Sequence, residues 1–165
     1  MKPRAQSEKH AHPTTLVIGY GSALRGDDGV GPAIAEWVEQ QNWPGVTALV
    51  IHQLFPETAE EIARHDRVIF VDADLGGSTS LVNQPLEEAS DRLMAHRCSP
   101  GALLRMAREL YGAQTIGRLI TIPARNFDIA PEFSPKTQHF IGKAQALLEK
   151  LCSENEWKIE CTNSA

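Results

Sequence analysis

Apolar and polar positions along the chain alternate between two periods. Leu16-Val17-Ile18-Gly19 is a short apolar run closed by glycine, the pattern of a buried strand. After a polar loop, Ile34, Trp37 and Val38 recur at i, i+3 and i+4, which predicts a helix face, and Pro32 falls where a first helical turn tolerates proline. Val46 to Ile51 reads as a second strand. Residues 56–65 read as a short helix, with acids in the first turn and Arg64 and His65 in the last, matching the helix dipole. Arg67-Val68-Ile69-Phe70-Val71-Asp72 is nearly all apolar, as a central parallel strand should be. Ser80 to Leu86 reads as an irregular edge strand. Ser99-Pro100 and Ser134-Pro135 each place a capping hydroxyl before a proline, the signature of a helix start. The first of these helices has Leu103, Leu104, Ala107 and Leu110 on one face and stops at Gly112. The second carries Phe140, Ile141, Ala144, Leu147, Leu148 and Leu151 on one face, and Leu119 to Ile122 is a strand between the two.

Strands and helices in this order form βαβ units, whose right-handed crossovers lay helices on both faces of a sheet. The predicted fold is α/β: a three-layer α/β/α arrangement with a mostly parallel, twisted sheet of about five strands. Its 165 residues suffice for one domain. That domain is expected over residues 15–151, between a flexible N-terminal tail (1–14) and a C-terminal tail (152–165).

Composition narrows the function. Lys and Arg number 16 against 21 Asp and Glu, a net charge of −5 with no basic run, so no electrostatic footprint for nucleic acid is visible. The longest apolar runs, such as Val68 to Val71, are strand-sized, so no membrane partner is expected. The first residues lack the apolar core of a signal peptide. Cys98, Cys152 and Cys161 are odd in number and far apart, which fits a reducing, cytoplasmic setting better than a disulfide framework. A monomer is the simplest expectation.

Gly19-Tyr20-Gly21-Ser22-Ala23-Leu24 begins like a dinucleotide fingerprint, but Leu24 stands where the third glycine belongs. Asp27 and Asp28 then follow before the helix, where a pyrophosphate would meet repulsion. One aspartate could cap the helix; two suggest a carboxylate aimed at a cation. Asp72 ends the third strand. In doubly wound sheets the first and third strands are commonly neighbours, so both acidic positions reach one crevice at the carboxyl edge. Carboxylates brought together there repel unless a proton or a metal sits between them. His96, in the loop ahead of the Ser99 cap, is a third candidate. Two carboxylates and an imidazole suit nickel, zinc or manganese. His52 ends the second strand and is a reserve; His10 and His12 lie in the tail, His65 ends a helix, and His139, on the last helix, is expected in a solvated role. Cys98 would need an activating environment to serve as a nucleophile, and the sequence shows none.

Residues 17–31, from Val17-Ile18-Gly19-Tyr20-Gly21 through Arg25-Gly26-Asp27-Asp28-Gly29-Val30-Gly31, resemble the opening signature of the [NiFe]-hydrogenase maturation endopeptidase family. Ile69-Phe70-Val71-Asp72-Ala73 looks like that family's second block, and Ala95-His96-Arg97-Cys98-Ser99-Pro100 with Leu103-Leu104 like its third. The resemblance spans roughly residues 15–151. Ser22 stands where the family often has asparagine, and the acid at position 28 is glutamate in some members. His52-Gln53-Leu54-Phe55-Pro56-Glu57 and Ile122-Pro123-Ala124-Arg125-Asn126-Phe127 look most like the branch serving bidirectional, NAD-linked hydrogenases.

The resemblance implies a hydrolase of aspartyl type that removes a C-terminal extension from the hydrogenase large-subunit precursor after nickel insertion. It implies that Asp28, Asp72 and His96 engage the precursor's nickel, both as metal contacts and as the catalytic group. Nickel would then arrive with the substrate and not be bound tightly at rest. Either the metal polarises the peptide carbonyl, or Asp28 or Asp72 serves as general base to water. Two other readings are a Rossmann-like nucleotide-binding module built on Gly19 and Gly21, and a nickel-dependent checkpoint chaperone that binds the precursor without cutting it.

Overall fold

The structure, a computed structural model, describes residues 12–89, 98–154, 156, 157 and 162–164. Strands β1 (Thr15–Tyr20), β2 (Val46–Ile51), β3 (Arg67–Asp74), β4 (Leu81–Leu86), β5 (Ile116–Pro123) and β6 (Thr162–Ser164) form one sheet in the order β2-β1-β3-β5-β4-β6. The pairs β1–β2, β1–β3 and β3–β5 are parallel. β4 runs antiparallel to β5, and β6 antiparallel to β4. β6 falls within the segment expected as a C-terminal tail. At the other end, Thr14 is tied to Asp66, whose Oδ2 accepts from Thr14 N at 2.8 Å.

Helices α1 (Val30–Gln41) and α4 (Pro135–Cys152) cover one face; α2 (Thr58–Ala63) and α3 (Pro100–Tyr111) cover the other. The central strands are therefore buried on both sides, which is why they read as unbroken apolar runs. Along β1 and β3, Val17, Ile69 and Val71 feed the α1–α4 side, while Leu16, Ile18, Val68 and Phe70 feed the α2–α3 side. Phe70 is fully buried, and truncating it to alanine would cost about 4 kcal/mol through lost transfer energy and a cavity.

Both serine caps form as read. Ser99 Oγ accepts from Ala102 N at 3.1 Å, and Ser134 Oγ from Thr137 N at 3.3 Å. Gly112 ends α3 in the left-handed region, at φ 64°. Leu110 departs from the sequence reading: it is 58% exposed, whereas Leu103, Leu104 and Ala107 are buried. Leu110 lies in the last turn of α3, beyond the buried positions Leu103, Leu104 and Ala107.

The order β2-β1-β3 puts the reversal of strand order between β1 and β3. Ligand crevices of open α/β sheets lie beyond the carboxyl ends of the strands at such a point.

Candidate active site

Three glycines allow β1, β3 and the start of α1 to meet. A side-chain carbon on Gly19 would overlap the carbonyl oxygen of Gly31. One on Gly31 would lie 2.6 Å from the carbonyl oxygens of both Tyr20 and Val71. Gly31 thus does the close helix–strand packing that a third fingerprint glycine does in dinucleotide sites, so its absence at Leu24 left no gap. Gly21 has φ 138°, and a side-chain carbon there would overlap the Asp28 carbonyl. The space that a pyrophosphate would use over Gly21 is filled by the chain itself.

The two adjacent aspartates do different work. Asp27 is completely buried. Its Oδ2 accepts from Arg125 N (2.8 Å), Asn126 N (2.9 Å) and Ser134 Oγ (2.7 Å), and its Oδ1 from Ser134 N (2.7 Å). Burial would raise the carboxyl pKa, but these four bonds outweigh it and hold the group down at about 2. At neutral pH Asp27 is an ionised clamp between the loop after β1 and the loop after β5. Asp28 is half-buried, and its Oδ2 accepts only a backbone bond among the described residues, from Ser22 N at 2.8 Å. A 3-10 turn over Gly26–Gly29 carries both residues, with Asp28 N bonded to Arg25 O at 3.0 Å.

Asp72 has the strand parity of Val68 and Phe70, and Tyr20 that of Leu16 and Ile18, so both stand on the α2–α3 side. Tyr20 Oη donates to Asp72 Oδ2 at 2.8 Å, and Ala73 N donates to Oδ1 at 2.8 Å. The Tyr20 ring meets Phe70 edge-on at 6.4 Å between centroids. Burial raises the Asp72 pKa; the two hydrogen bonds oppose this, while the charges of Asp28 and Asp74 push it further up. Asp28 and Asp72 therefore lie within electrostatic reach of each other at the carboxyl edge. A desolvated carboxyl of raised proton affinity next to a second carboxylate suits proton abstraction or capture of a cation. Tyr20 itself is held protonated by burial and by Asp72. The sequence reading missed Tyr20, although its place at the end of β1 is the one signal that could have found it.

His96 lies outside the described residues. Among those residues, no group of three or more His, Cys, Asp or Glu side chains is arranged to hold a metal ion. His52 and His139 are exposed, and His65 Nδ1 lies 3.0 Å from the Glu61 carbonyl oxygen. Burial, aided by Glu57, raises the Cys98 thiol, which is the opposite of nucleophile activation.

Several solved structures with this architecture are described as hydrogenase maturation peptidases or proteases. The fold is that of the hydrogenase maturation peptidases. The hydrogenase 2 maturation peptidase from Thaumarchaeota archaeon SCGC_AB-539-E09 is 24% identical, with a TM-score of 0.63 over 84% of this chain and 97% of its own. The hydrogenase maturating endopeptidase HybD from E. coli is 18% identical, with a TM-score of 0.65 over 91% and 97%. The hydrogenase maturation protease HycI from Thermococcus kodakarensis KOD1 is 22% identical, with a TM-score of 0.64 over 84% and 92%. No protein-family model and no curated protein sequence matches the chain.

Proposed function

We propose that this protein is a maturation endopeptidase that removes the C-terminal extension of a nickel-loaded nickel–iron hydrogenase large-subunit precursor. The observation that carries the reading is the pairing of Asp28 with a desolvated, Tyr20-bonded Asp72 at the switch point of a fold shared with hydrogenase maturation peptidases. The nickel belongs to the substrate and serves as a recognition handle. Asp28, Asp72 and His96 contact it only when the precursor is loaded, so loaded and empty precursors differ in affinity. That contact fixes the scissile peptide beside the two acids and makes the cut effectively intramolecular. Asp72, whose proton affinity is raised, is the general base for the attacking water.

The protein acts as a monomer in the cytoplasm, and no described helix is long and apolar enough to cross a membrane. The segments at 52–57 and 122–127 favour a bidirectional, NAD-linked hydrogenase as the enzyme served.

The test mixes the protein with nickel-loaded and nickel-free precursor and reads the product mass. A shortened large subunit from the loaded precursor alone is expected. A stable complex without cleavage would replace the protease with a checkpoint chaperone, and equal cutting of both precursors would remove nickel as the handle.

A further inference from the structure

The Asp27 clamp does more than hold two loops together. Arg25 and Ala130 form an isolated parallel bridge between the loop after β1 and the loop after β5. One residue ahead of each bridge partner stand Leu24, 76% exposed, and Ile129, 88% exposed. Two large, exposed aliphatic residues therefore flank one point where the two loops meet. The surrounding chain is not short of apolar cover, since Phe127 and Phe133, on either side of Ile129, pack against the core. The backbone is also pinned. Arg25 N bonds to Ser22 O at 3.1 Å, Asp27 N to Asn126 O at 2.7 Å, and the buried Asp27 carboxylate takes four further bonds from the second loop and from Ser134. A rigid mount for exposed aliphatic groups is what a binding surface needs, because little entropy is lost when a partner covers them. Leu75, exposed three residues after Asp72, stands at the same edge of the sheet.

We infer that Leu24 and Ile129 form a docking platform for the substrate polypeptide, on the proposed reading of this protein as a precursor-processing protease. Its occupant is an apolar segment of the large-subunit precursor. The argument for that occupant is continuity: the 3-10 turn that follows Leu24 carries Asp28, so whatever covers the platform lies beside the candidate catalytic pair. The platform adds affinity for the protein as a whole, while the acids read the reacting end. It therefore acts on binding and leaves the chemical step alone.

The test compares wild type with Leu24→Asp/Ile129→Asp and with Leu110→Asp, a control on the exposed end of α3. Cleavage of nickel-loaded precursor gives KM and kcat, and titration of nickel-free precursor, which the proposed protease leaves uncut, into wild type and the platform variants gives binding free of turnover. The platform pair should raise KM and Kd at least about tenfold with kcat unchanged, as truncated hot-spot residues do. Leu110→Asp should change neither. Unchanged KM and Kd in a folded double variant overturn the inference. So does a wild-type dimer that the double variant dissociates while KM stays the same, since the platform would then serve a second copy of this chain. If wild type cuts nothing, the protease reading fails, yet the titration still decides the docking surface.

Discussion

Tyr20 Oη donates a 2.8 Å hydrogen bond to Oδ2 of Asp72, joining the last residue of β1 to the carboxyl end of β3. The bond spans the point where strand order reverses and sets the direction of one carboxylate oxygen, while Ala73 N sets the other. Tyr20→Phe keeps the ring edge against Phe70 and removes only this bond. It should cost about 1 kcal/mol of stability and slow single-turnover cleavage on the order of tenfold, the size of a hydrogen bond to a charged group. A variant that cuts at the wild-type rate would show that Tyr20 does not orient Asp72.

Asp72 should be unfavourable for folding at neutral pH. Its pKa is raised in the folded protein, chiefly by burial, so ionisation favours the unfolded chain once the pH exceeds the unfolded value of about 4. Asp72→Asn is expected to melt above wild type at pH 7, with the difference shrinking as the pH falls toward about 4 and absent below it, while processing is lost. Thermal melts across this range, with the cleavage assay beside them, check both parts.

Asp27 and Asp28 should separate by assay. Asp27→Ala orphans three backbone donors and the Ser134 hydroxyl, and should lose about 3 kcal/mol of stability. The Asp27 pKa is depressed, so its stabilisation is present above about pH 4 and is lost as the pH falls toward about 2. Asp28→Asn accepts the Ser22 bond through its amide oxygen, should melt within about 0.5 kcal/mol of wild type, and should abolish processing. Denaturant melts and product mass on the two variants give the comparison.

Gly31→Ala pushes a methyl against the carbonyls of Tyr20 and Val71 at 2.6 Å, and these atoms belong to the two strands that carry the site. A loss of about 3 kcal/mol is expected from overpacking, with a fall in kcat larger than the change in the folded fraction explains. Active protein with wild-type stability would mean that the junction gives way without moving the acids.

Cys98→Ser should process precursor normally, and alkylation of the thiol should not inhibit. Burial and Glu57 keep the sulfur protonated, so it is a poor nucleophile. Inhibition relieved by the serine substitution would reopen a cysteine mechanism.

The alternation of apolar runs and helical stripes and the Ser99 and Ser134 caps were legible in the chain, because periodicity and capping depend on neighbours a few residues away; β3 was read as ending at Asp72 but runs on to Asp74. Legible too was the adjacency of β1 and β3, which follows from the usual order of strands in this fold class. The sequence alone could not divide the labour between Asp27 and Asp28. The donors that claim Asp27 come from Arg125, Asn126 and Ser134, about a hundred positions away in the chain, and only tertiary folding delivers them. The same holds for Gly31, whose role rests on carbonyls of two different strands, and for Tyr20, which becomes part of the site only where β1 meets β3. Leu110 makes the point in reverse: its helical phase is that of a core residue, but the fold leaves the last turn of α3 exposed.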